Sequence, residues 1–238
     1  MSFCSCWQSW RIVDHFPSLW YPSSEVMTMF DSLLTVYDSI IFIDTETTGF
    51  DSETDHITEF AAIKAGRKGE EWLRTFVQLP AGASIPPELV TMTGITDDMC
   101  RTGITPAELY SRFSSLLDNH SLIVAYNAQF DVTFLKRLER EYGKKKDGLR
   151  CDYLDALTVY RDRAEAPHKL SDAIRHYNVD GRNSHRAMED AEALLNVTLA
   201  MIEEKDDLLE YINRFGYKKK YGISGGRIDG VEYFEQLE

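Results

Sequence analysis

The chain has 238 residues, which suits one domain with modest extensions and is long enough to bury a full core. Its apolar fraction of 43% and charged fraction of 27% are typical of globular proteins, and no apolar run is long enough to span a membrane. The net charge of −13 excludes a protein that coats duplex DNA by bulk electrostatics, but it allows a nucleic-acid enzyme with local basic patches. Four cysteines without CxxC spacing predict reduced thiols and a cytoplasmic protein.

The first 37 residues fit the rest of the chain poorly. They show no clean hydrophobic period and lack the basic start and continuous apolar core of a signal peptide. We interpret residues 1–37 as an upstream extension or a loosely packed arm, with the natural start at Met27 or Met29. Mass spectrometry of the natural protein tests this hypothesis, and an intact Met1 would contradict it.

The segment at 40–49, IIFIDTETTG, predicts a buried strand that ends in charged residues. Asp44 and Glu46 lie two residues apart, so both project from the same face of the strand, roughly 7 Å from one another. Two carboxylates held this close repel each other unless a cation lies between them, and a divalent metal ion is the simplest candidate. An ordinary strand end with two solvated acids before a turn is the alternative that this segment leaves open.

Later elements follow from periodicity and turn residues. A short break at 66–69 predicts an antiparallel hairpin of two strands, at 57–65 and 71–79. The remaining predicted elements, in chain order, are helix 87–93, helix 105–117, strand 121–126, helix 127–142, strand 150–152, helix 153–161, helix 169–177 and helix 186–202. Beyond residue 203 we expect an acidic helix to about residue 214, the basic run Lys218–Lys220 and a Gly-rich tail whose VEYFEQLE end suits a docking segment.

Two further acids are predicted to face inward from helices. Asp131 lies in a first helical turn at the edge of a buried stripe, and Asp190 lies within the apolar stripe of the helix at 186–202. His185 precedes Asp190 by five positions, about 140° round a helix axis, so it can approach that acid only from the preceding loop or first turn. Taken singly, each buried acid is more often the partner of a basic residue.

Together these four acids require positive charge that the apolar helix faces around them do not offer. Their donor atoms are all oxygens. Such a set suits Mg²⁺ or Mn²⁺ rather than zinc, which prefers cysteine and histidine.

Three motifs resemble those of the DEDDh 3′→5′ exonucleases, which include the proofreading epsilon subunit and the PolC exonuclease domain of bacterial DNA polymerase III. DTETTG at 44–49 resembles the first motif, NAQFD at 127–131 the second and HRAMED at 185–190 the third. Each motif alone is weak, but the three together, in this order and spacing, are specific. The resemblance spans about residues 38–202 and implies an α/β, RNase H-like fold with a five-stranded mixed central sheet flanked by helices.

The resemblance implies a site for two Mg²⁺ or Mn²⁺ ions, about 3.5–4 Å apart, that clamp the scissile phosphate. Asp44 would bridge both ions, and Glu46 and Asp190 would complete the ion on the nucleophile side. Asp131 would hold the second ion, directly or through water. His185 would accept the proton of the attacking water, a role that suits a side chain with an ordinary pKa of about 6.5.

The resemblance also implies contacts to the terminal nucleotide. The residues concerned are Thr47, Thr48, Gly49, Phe50, Asn127 and Phe130. The threonines and the glycine would seat the 3′ end through backbone or hydroxyl groups, Phe50 would stack or wedge against a base, and Asn127 and Phe130 would line the pocket. For the two phenylalanines, simple packing is the alternative.

We therefore expect an exonuclease domain at 38–203, between the extension at 1–37 and a C-terminal helix and tail at 204–238. It would remove nucleoside 5′-monophosphates from the 3′ end of DNA, single-stranded or frayed, in replication proofreading or repair, with a DNA polymerase as a partner in trans. One alternative is an exoribonuclease of the RNase T or oligoribonuclease kind. The other is a non-catalytic, polymerase-associated module that binds nucleic acid, against which the five intact catalytic residues argue.

Overall fold

A five-stranded sheet forms the centre of the protein. The computed structural model describes residues 28–66, 69–143, 149 and 151–236. The strands of this sheet are β1 (Ser39–Thr47), β2 (Ile57–Gly66), β3 (Gly69–Phe76), β4 (Ser121–Ala125) and β5 (Cys151–Asp155). Their spatial order is β3-β2-β1-β4-β5, with the first two pairings antiparallel and the last two parallel. The predicted five-stranded mixed sheet is confirmed.

Strand β1 lies at the middle of the sheet because its residues are apolar on both faces. Ile40 and Phe42 pack into one hydrophobic cluster, while Ile41 and Ile43 pack into the cluster on the other face. All four side chains are fully buried. A continuous apolar run of this kind is what a strand covered on both faces requires.

Helices cover both faces of the sheet. They are α1 (Asp31–Leu34), α2 (Pro87–Thr93), α3 (Asp97–Arg101), α4 (Pro106–Leu116), α5 (Ala128–Tyr142), α6 (Ala156–Arg163), α7 (Leu170–Tyr177) and α8 (Ala187–Glu204). Residues of α4 and α5 pack on one face, and residues of α6, α7 and α8 pack on the other. Among the described residues, no helix has both the length and the apolar character needed to cross a membrane.

The last residues of the predicted extension are packed in the core. Residues 1–27, including Met27, lie outside the described residues, so the hypothesis about the start stays a prediction. Phe30, Leu33, Leu34 and Tyr37 are all buried in the core on the α8 side of the sheet. These four residues have the spacing of one face of a helix. The pattern is too short to be distinguished, from sequence alone, from the irregular sequence before it.

Strand β5 extends further than predicted. Tyr153 and Leu154, the predicted start of a helix, pair with Ile123 and Val124 of β4. Asp155 ends the strand, and its carboxylate accepts a hydrogen bond from the amide of Leu157 in α6. The predicted helix therefore begins three residues later, because pairing with a neighbouring strand outweighs the local helical pattern.

The helix predicted after residue 203 is wrong. A single 3₁₀ turn at Leu208–Tyr211 is followed by β6 (Arg214–Tyr217), which pairs in parallel with β7 (Glu232–Glu235). Asn213 has a left-handed φ of 55°, which breaks a helix at this point. The end proposed as a docking segment therefore pairs with its own chain, and the division of the chain at residues 37 and 203 remains a prediction.

Candidate active site

The end of β1 carries two carboxylates at the edge of the sheet. Asp44 and Glu46 project from one face of β1, and the pairing with β2 is irregular just after Glu46. Burial raises the pKa of Asp44 well above its usual range, and the negative charges of Asp131 and Asp190 raise it further. Burial likewise raises the pKa of Glu46 to about 8, with Asp190 as the next cause. The pair is therefore poorly compensated by protein cations.

Asp131 reaches the same place from α5. Asn127 adopts a left-handed conformation with φ of 67° and turns the chain from β4 into this helix. Asp131 is 3% exposed, and its carboxylate accepts a 2.7 Å hydrogen bond from the hydroxyl of Thr45. Burial raises the pKa of Asp131 to about 7, although the bond from Thr45 opposes the shift. This bond links the second motif directly to the strand of the first.

A tight turn before α8 brings His185 and Asp190 together. His185 has a left-handed φ of 55°, which is unusual for a residue other than glycine. The Asp190 carboxylate accepts hydrogen bonds from the amide of Ser184 at 3.0 Å and from the side chain of Asn183 at 3.3 Å. Burial raises the pKa of Asp190 to about 7. His185 approaches from the loop before the helix, the direction that its spacing from Asp190 requires.

Carboxylate oxygens that could bind a metal ion lie around one histidine in this site. The ligand atoms of Glu46, His185 and Asp190 all lie within 4.8 Å of one another. Asp44 and Asp131 lie outside this group, yet Asp131 is the carboxylate that raises the pKa of Asp44 most. Hard divalent cations prefer such carboxylate-rich sites, and their charge would offset the repulsion between the acids. The donor set therefore fits a magnesium or manganese centre.

A buried ion-pair network lies behind this site, and the sequence prediction missed it. Glu59 of β2 is fully buried and accepts hydrogen bonds from the guanidinium of Arg186 at 2.9 and 3.0 Å. It also accepts bonds from Arg74 at 3.1 Å and from the amide of Ala187, the first residue of α8, at 3.2 Å. Although burial opposes the shift, the two arginines lower the pKa of Glu59. Glu59 therefore fixes the start of α8, next to His185.

A signal for this network was present in the sequence. Arg186 lies inside the HRAMED motif at the start of a helix, where the helix dipole disfavours a cation. Glu59 is an isolated acid in the apolar strand ITEFAAI. Neither charged residue has an obvious partner in its own segment. They become partners only when the fold brings β2 and α8 into contact.

We expect Glu59→Gln to lower the free energy of unfolding by about 3 kcal/mol, because it leaves two arginines facing a neutral amide in a buried position. Turnover should fall about 10- to 100-fold, as when the supports of metal ligands are removed. Denaturant unfolding and steady-state rates measure the two effects. Glu71→Gln is the control, because Glu71 forms its 3.2 Å ion pair with Lys64 from an exposed position. Equal unfolding free energies for the two variants would contradict the role of Glu59.

The loop after β1 is shaped by its own hydrogen bonds. The Thr47 hydroxyl donates to the carbonyl of Gly49 at 2.6 Å, and the Thr48 hydroxyl accepts from the amide of His56 at 2.9 Å. A Cβ on Gly49 would lie 2.3 Å from the carboxylate of Asp55, so a larger residue there would force the Asp55 side chain to move. In the described chain, the amides of Gly49 and Phe50 have no intramolecular acceptor. Two backbone donors are thus free at the mouth of the site.

Two aromatic rings border this mouth. Phe50 is 85% exposed, and its ring lies edge-on to that of Phe130, with 6.2 Å between centroids. Phe130 in turn contacts the buried Phe134 at 5.1 Å. Asn127 is exposed at the start of α5 and does not cap the helix with its side chain. The exposed face of the Phe50 ring is therefore accessible to a ligand at this edge of the site.

Comparison with known proteins identifies the family of the chain. A model of the exonuclease family matches residues 41–198. The chain is 32% identical over 177 residues to the PolC-type DNA polymerase III of Clostridium perfringens, a match that covers 72% of this chain but 12% of that protein. It is 30% identical over 179 residues to the DNA polymerase III subunit epsilon of Treponema pallidum, covering 73% of this chain and 82% of that protein. The chain thus spans a small part of the polymerase and most of the subunit.

Solved structures share the fold. The zinc-bound complex of Escherichia coli exonuclease I with single-stranded DNA superposes with a TM-score of 0.63 at 20% identity, over 74% of this chain and 42% of that chain. At this identity the likeness establishes the architecture alone, and it confirms the predicted RNase H-like fold. The matched residues 41–198 include all three sequence motifs. The chain belongs to the exonuclease family.

Proposed function

We propose that this protein hydrolyses DNA from the 3′ end in a reaction that depends on divalent metal ions, releasing nucleoside 5′-monophosphates. The observation that carries the proposal is the convergence of four poorly compensated carboxylates with a histidine at the end of β1. The members of this set are Asp44, Glu46, Asp131, His185 and Asp190. The similarity to an epsilon subunit supports proofreading or repair as the setting.

The carboxylates would hold two Mg²⁺ or Mn²⁺ ions. When bound, such ions activate a water molecule and stabilise the charge on the scissile phosphate and the leaving oxygen. Asp44, at the centre of the repulsion among the acids, would contact both ions. Glu46 and Asp190, whose ligand atoms lie close together, would share one ion, and Asp131 would hold the other.

His185 would act as the general base. A ring nitrogen of His185 lies within 4.8 Å of ligand atoms of Glu46 and Asp190. The ring is therefore next to the position that the attacking water would occupy. The left-handed backbone at His185 costs about 1–2 kcal/mol. Such strain is commonly retained where it positions a reacting group. The bond from the Ser184 amide to Asp190 holds the same turn in place.

The loop after β1 would seat the 3′ end of the strand. The hydroxyls of Thr47 and Thr48 are engaged in hydrogen bonds within the loop. The free backbone amides of Gly49 and Phe50 are therefore the groups best able to donate hydrogen bonds to the terminal nucleotide. The exposed ring of Phe50 would stack on a base, and Phe130 would support it from the helix side. Asn127 would approach the same nucleotide from the start of α5.

DNA is the favoured substrate, and an RNA-trimming activity is the alternative. Matched DNA and RNA oligomers of one sequence, labelled at the 5′ end, distinguish them in the presence of Mn²⁺. We expect one-nucleotide steps from the 3′ end, faster on DNA than on RNA. Faster shortening of RNA would replace the first choice with the alternative.

A DNA polymerase acting in trans is the proposed partner, by analogy with the epsilon subunit. We also place the enzyme in the cytoplasm, where the unpaired thiols of Cys100 and Cys151 would stay reduced.

We expect Mn²⁺ to raise the melting temperature by about 5–10 °C at pH 8 and by clearly less at pH 5.5. In the unfolded chain Glu46, Asp131 and Asp190 titrate near pH 4, whereas in the folded chain their pKa values are about 8, 7 and 7. The metal-free folded protein therefore binds more protons between pH 4 and 8, and its stability falls as the pH rises. Metal ions compete with those protons, so their stabilisation grows with pH. Scanning calorimetry that found equal metal-induced shifts at both pH values would contradict this.

A further inference from the structure

The loop between β6 and β7 concentrates positive charge in an acidic protein. The sequence at 218–227, KKKYGISGGR, contains four basic and no acidic residues, whereas the whole chain has 39 acidic and 26 basic residues. Most of the described lysines and arginines form ion pairs with carboxylates. Lys218, Lys219 and Lys220 have no carboxylate partner among the described residues. Their charge is therefore available to an anion.

This basic loop, residues 218–227, is fastened to the helix that carries Asp131. The side-chain amide of Gln129 donates hydrogen bonds to the carbonyls of Ser224 at 2.6 Å and Gly226 at 2.7 Å. The hydroxyl of Tyr233 in β7 donates to the side-chain oxygen (Oε1) of Gln129 at 2.6 Å. Gln129 lies two residues before Asp131, about 3 Å along the axis of α5 but about 200° round it, so the two side chains leave opposite sides of the helix. The loop is thus held against the first turn of α5, and a strand whose 3′ end lies at Asp131 would reach the loop by passing the N-terminal end of this helix.

The protein core holds both ends of the loop. Phe215 in β6 and Ile228 after the loop are buried in the cluster that also contains Val132 and Leu135 of α5. The parallel pairing of β6 with β7 fixes the two strands that flank the loop. The loop therefore has a defined position relative to α5, unlike a tail that moves freely in solvent.

The chemistry of the loop fits a nucleic-acid strand. Tyr221 is 73% exposed, and the ammonium of Lys220 lies 5.3 Å from the centroid of its ring, so the opposite face of the ring is the one on which a base can stack. Gly222, Gly225 and Gly226 have left-handed φ angles between 65° and 82°. Because glycine has no side chain, the backbone of a nucleic-acid strand can come close to the backbone of the loop at these positions. Uncompensated lysines bind phosphates, and a protein of net charge −13 needs such a local patch to hold a polyanion.

We propose that the basic loop binds backbone phosphates of the substrate strand upstream of its 3′ end, so that the enzyme holds longer strands more tightly than short ones. This inference rests on the proposed function, because it assumes that the 3′ end of a strand lies at Asp44 and Asp131. The exposed Tyr221 would stack on one of the upstream bases.

The test compares the binding of two dye-labelled oligothymidylates, of three and twelve nucleotides, by fluorescence anisotropy in buffer that contains EDTA. For Lys218→Gln/Lys219→Gln/Lys220→Gln we expect the Kd of the longer strand to rise at least tenfold and that of the shorter strand to rise much less. The slope of log Kd against log salt for the longer strand should fall by about 2, because each lost phosphate contact removes about 0.7. Replacement of the same three lysines by arginine should restore both values.

A matched pair of single variants controls for loss of charge alone. Lys219→Gln should weaken binding of the longer strand, whereas Lys205→Gln, at the far end of α8, should not. Unchanged Kd and salt slope in the triple variant, or an equal loss for both strand lengths, would overturn the role of the loop. If the wild-type protein cuts DNA and the triple variant binds like it, only this inference fails. A wild-type protein that neither binds nor cuts DNA removes the proposed function as well.

Discussion

Asp44→Asn should reduce the rate of 3′-end hydrolysis by on the order of 10³-fold or more, because metal-ion catalysis supplies several kcal/mol of transition-state stabilisation. Burial raises the pKa of Asp44, and the charges of Asp131, Asp190 and Glu46 raise it further, so the other acids all act on this residue. Asparagine keeps the size of the side chain but removes the charge that would be shared between two ions. The expected loss is therefore in kcat rather than in folding.

Thermal unfolding separates these two effects. Without metal ions, Asp44→Asn should melt at a higher temperature than the wild type at pH 8, since it removes one of four mutually repelling carboxylates. With Mn²⁺ the order should reverse, because the variant binds the ions less well. Glu203→Gln, an exposed acid near the end of α8, is the matched control and should leave rate and stability unchanged. A variant as active as the wild type would rule out Asp44 as a shared ligand.

His185→Asn should lower kcat about 10²- to 10⁴-fold while Mn²⁺ binding persists. Asparagine is chosen because it tolerates the left-handed φ of 55° at this position, so the turn before α8 is kept. It has no ring nitrogen to accept the proton of the attacking water. Isothermal titration calorimetry measures metal binding, and steady-state kinetics measures kcat. A parallel loss of metal affinity and turnover would show that His185 holds the site together rather than serving as its base.

The features predicted correctly are those with strong local signals. The central strand was recognisable because a run of buried aliphatic residues leads directly into two acids, and that order does not depend on the rest of the fold. Asp131 and Asp190 were recognisable because each interrupts an apolar helical stripe, and both are buried in the structure. The position of His185 followed from helix geometry, since its distance from Asp190 left only an approach from the preceding loop.

The features missed depend on contacts between distant segments. Strand β5 takes in Tyr153 and Leu154 because β4 lies beside it, although their local pattern is helical. The pairing of β6 with β7 joins segments that are separated by a glycine-rich loop, so the local hydrophobic periodicity of the sequence does not predict it. Glu59 and Arg186 lie 127 residues apart, and neither reveals its partner before β2 meets α8.

The central claim is that the acids at the end of β1 form a metal-dependent exonuclease site. The most direct test follows a 5′-labelled single strand of DNA with time, in Mn²⁺ and in EDTA, for the wild type and Asp44→Asn. The proposed function predicts a ladder of products shortened one nucleotide at a time from the 3′ end, only with Mn²⁺ and only for the wild type. No shortening by the wild type, or equal shortening by both proteins, would contradict it.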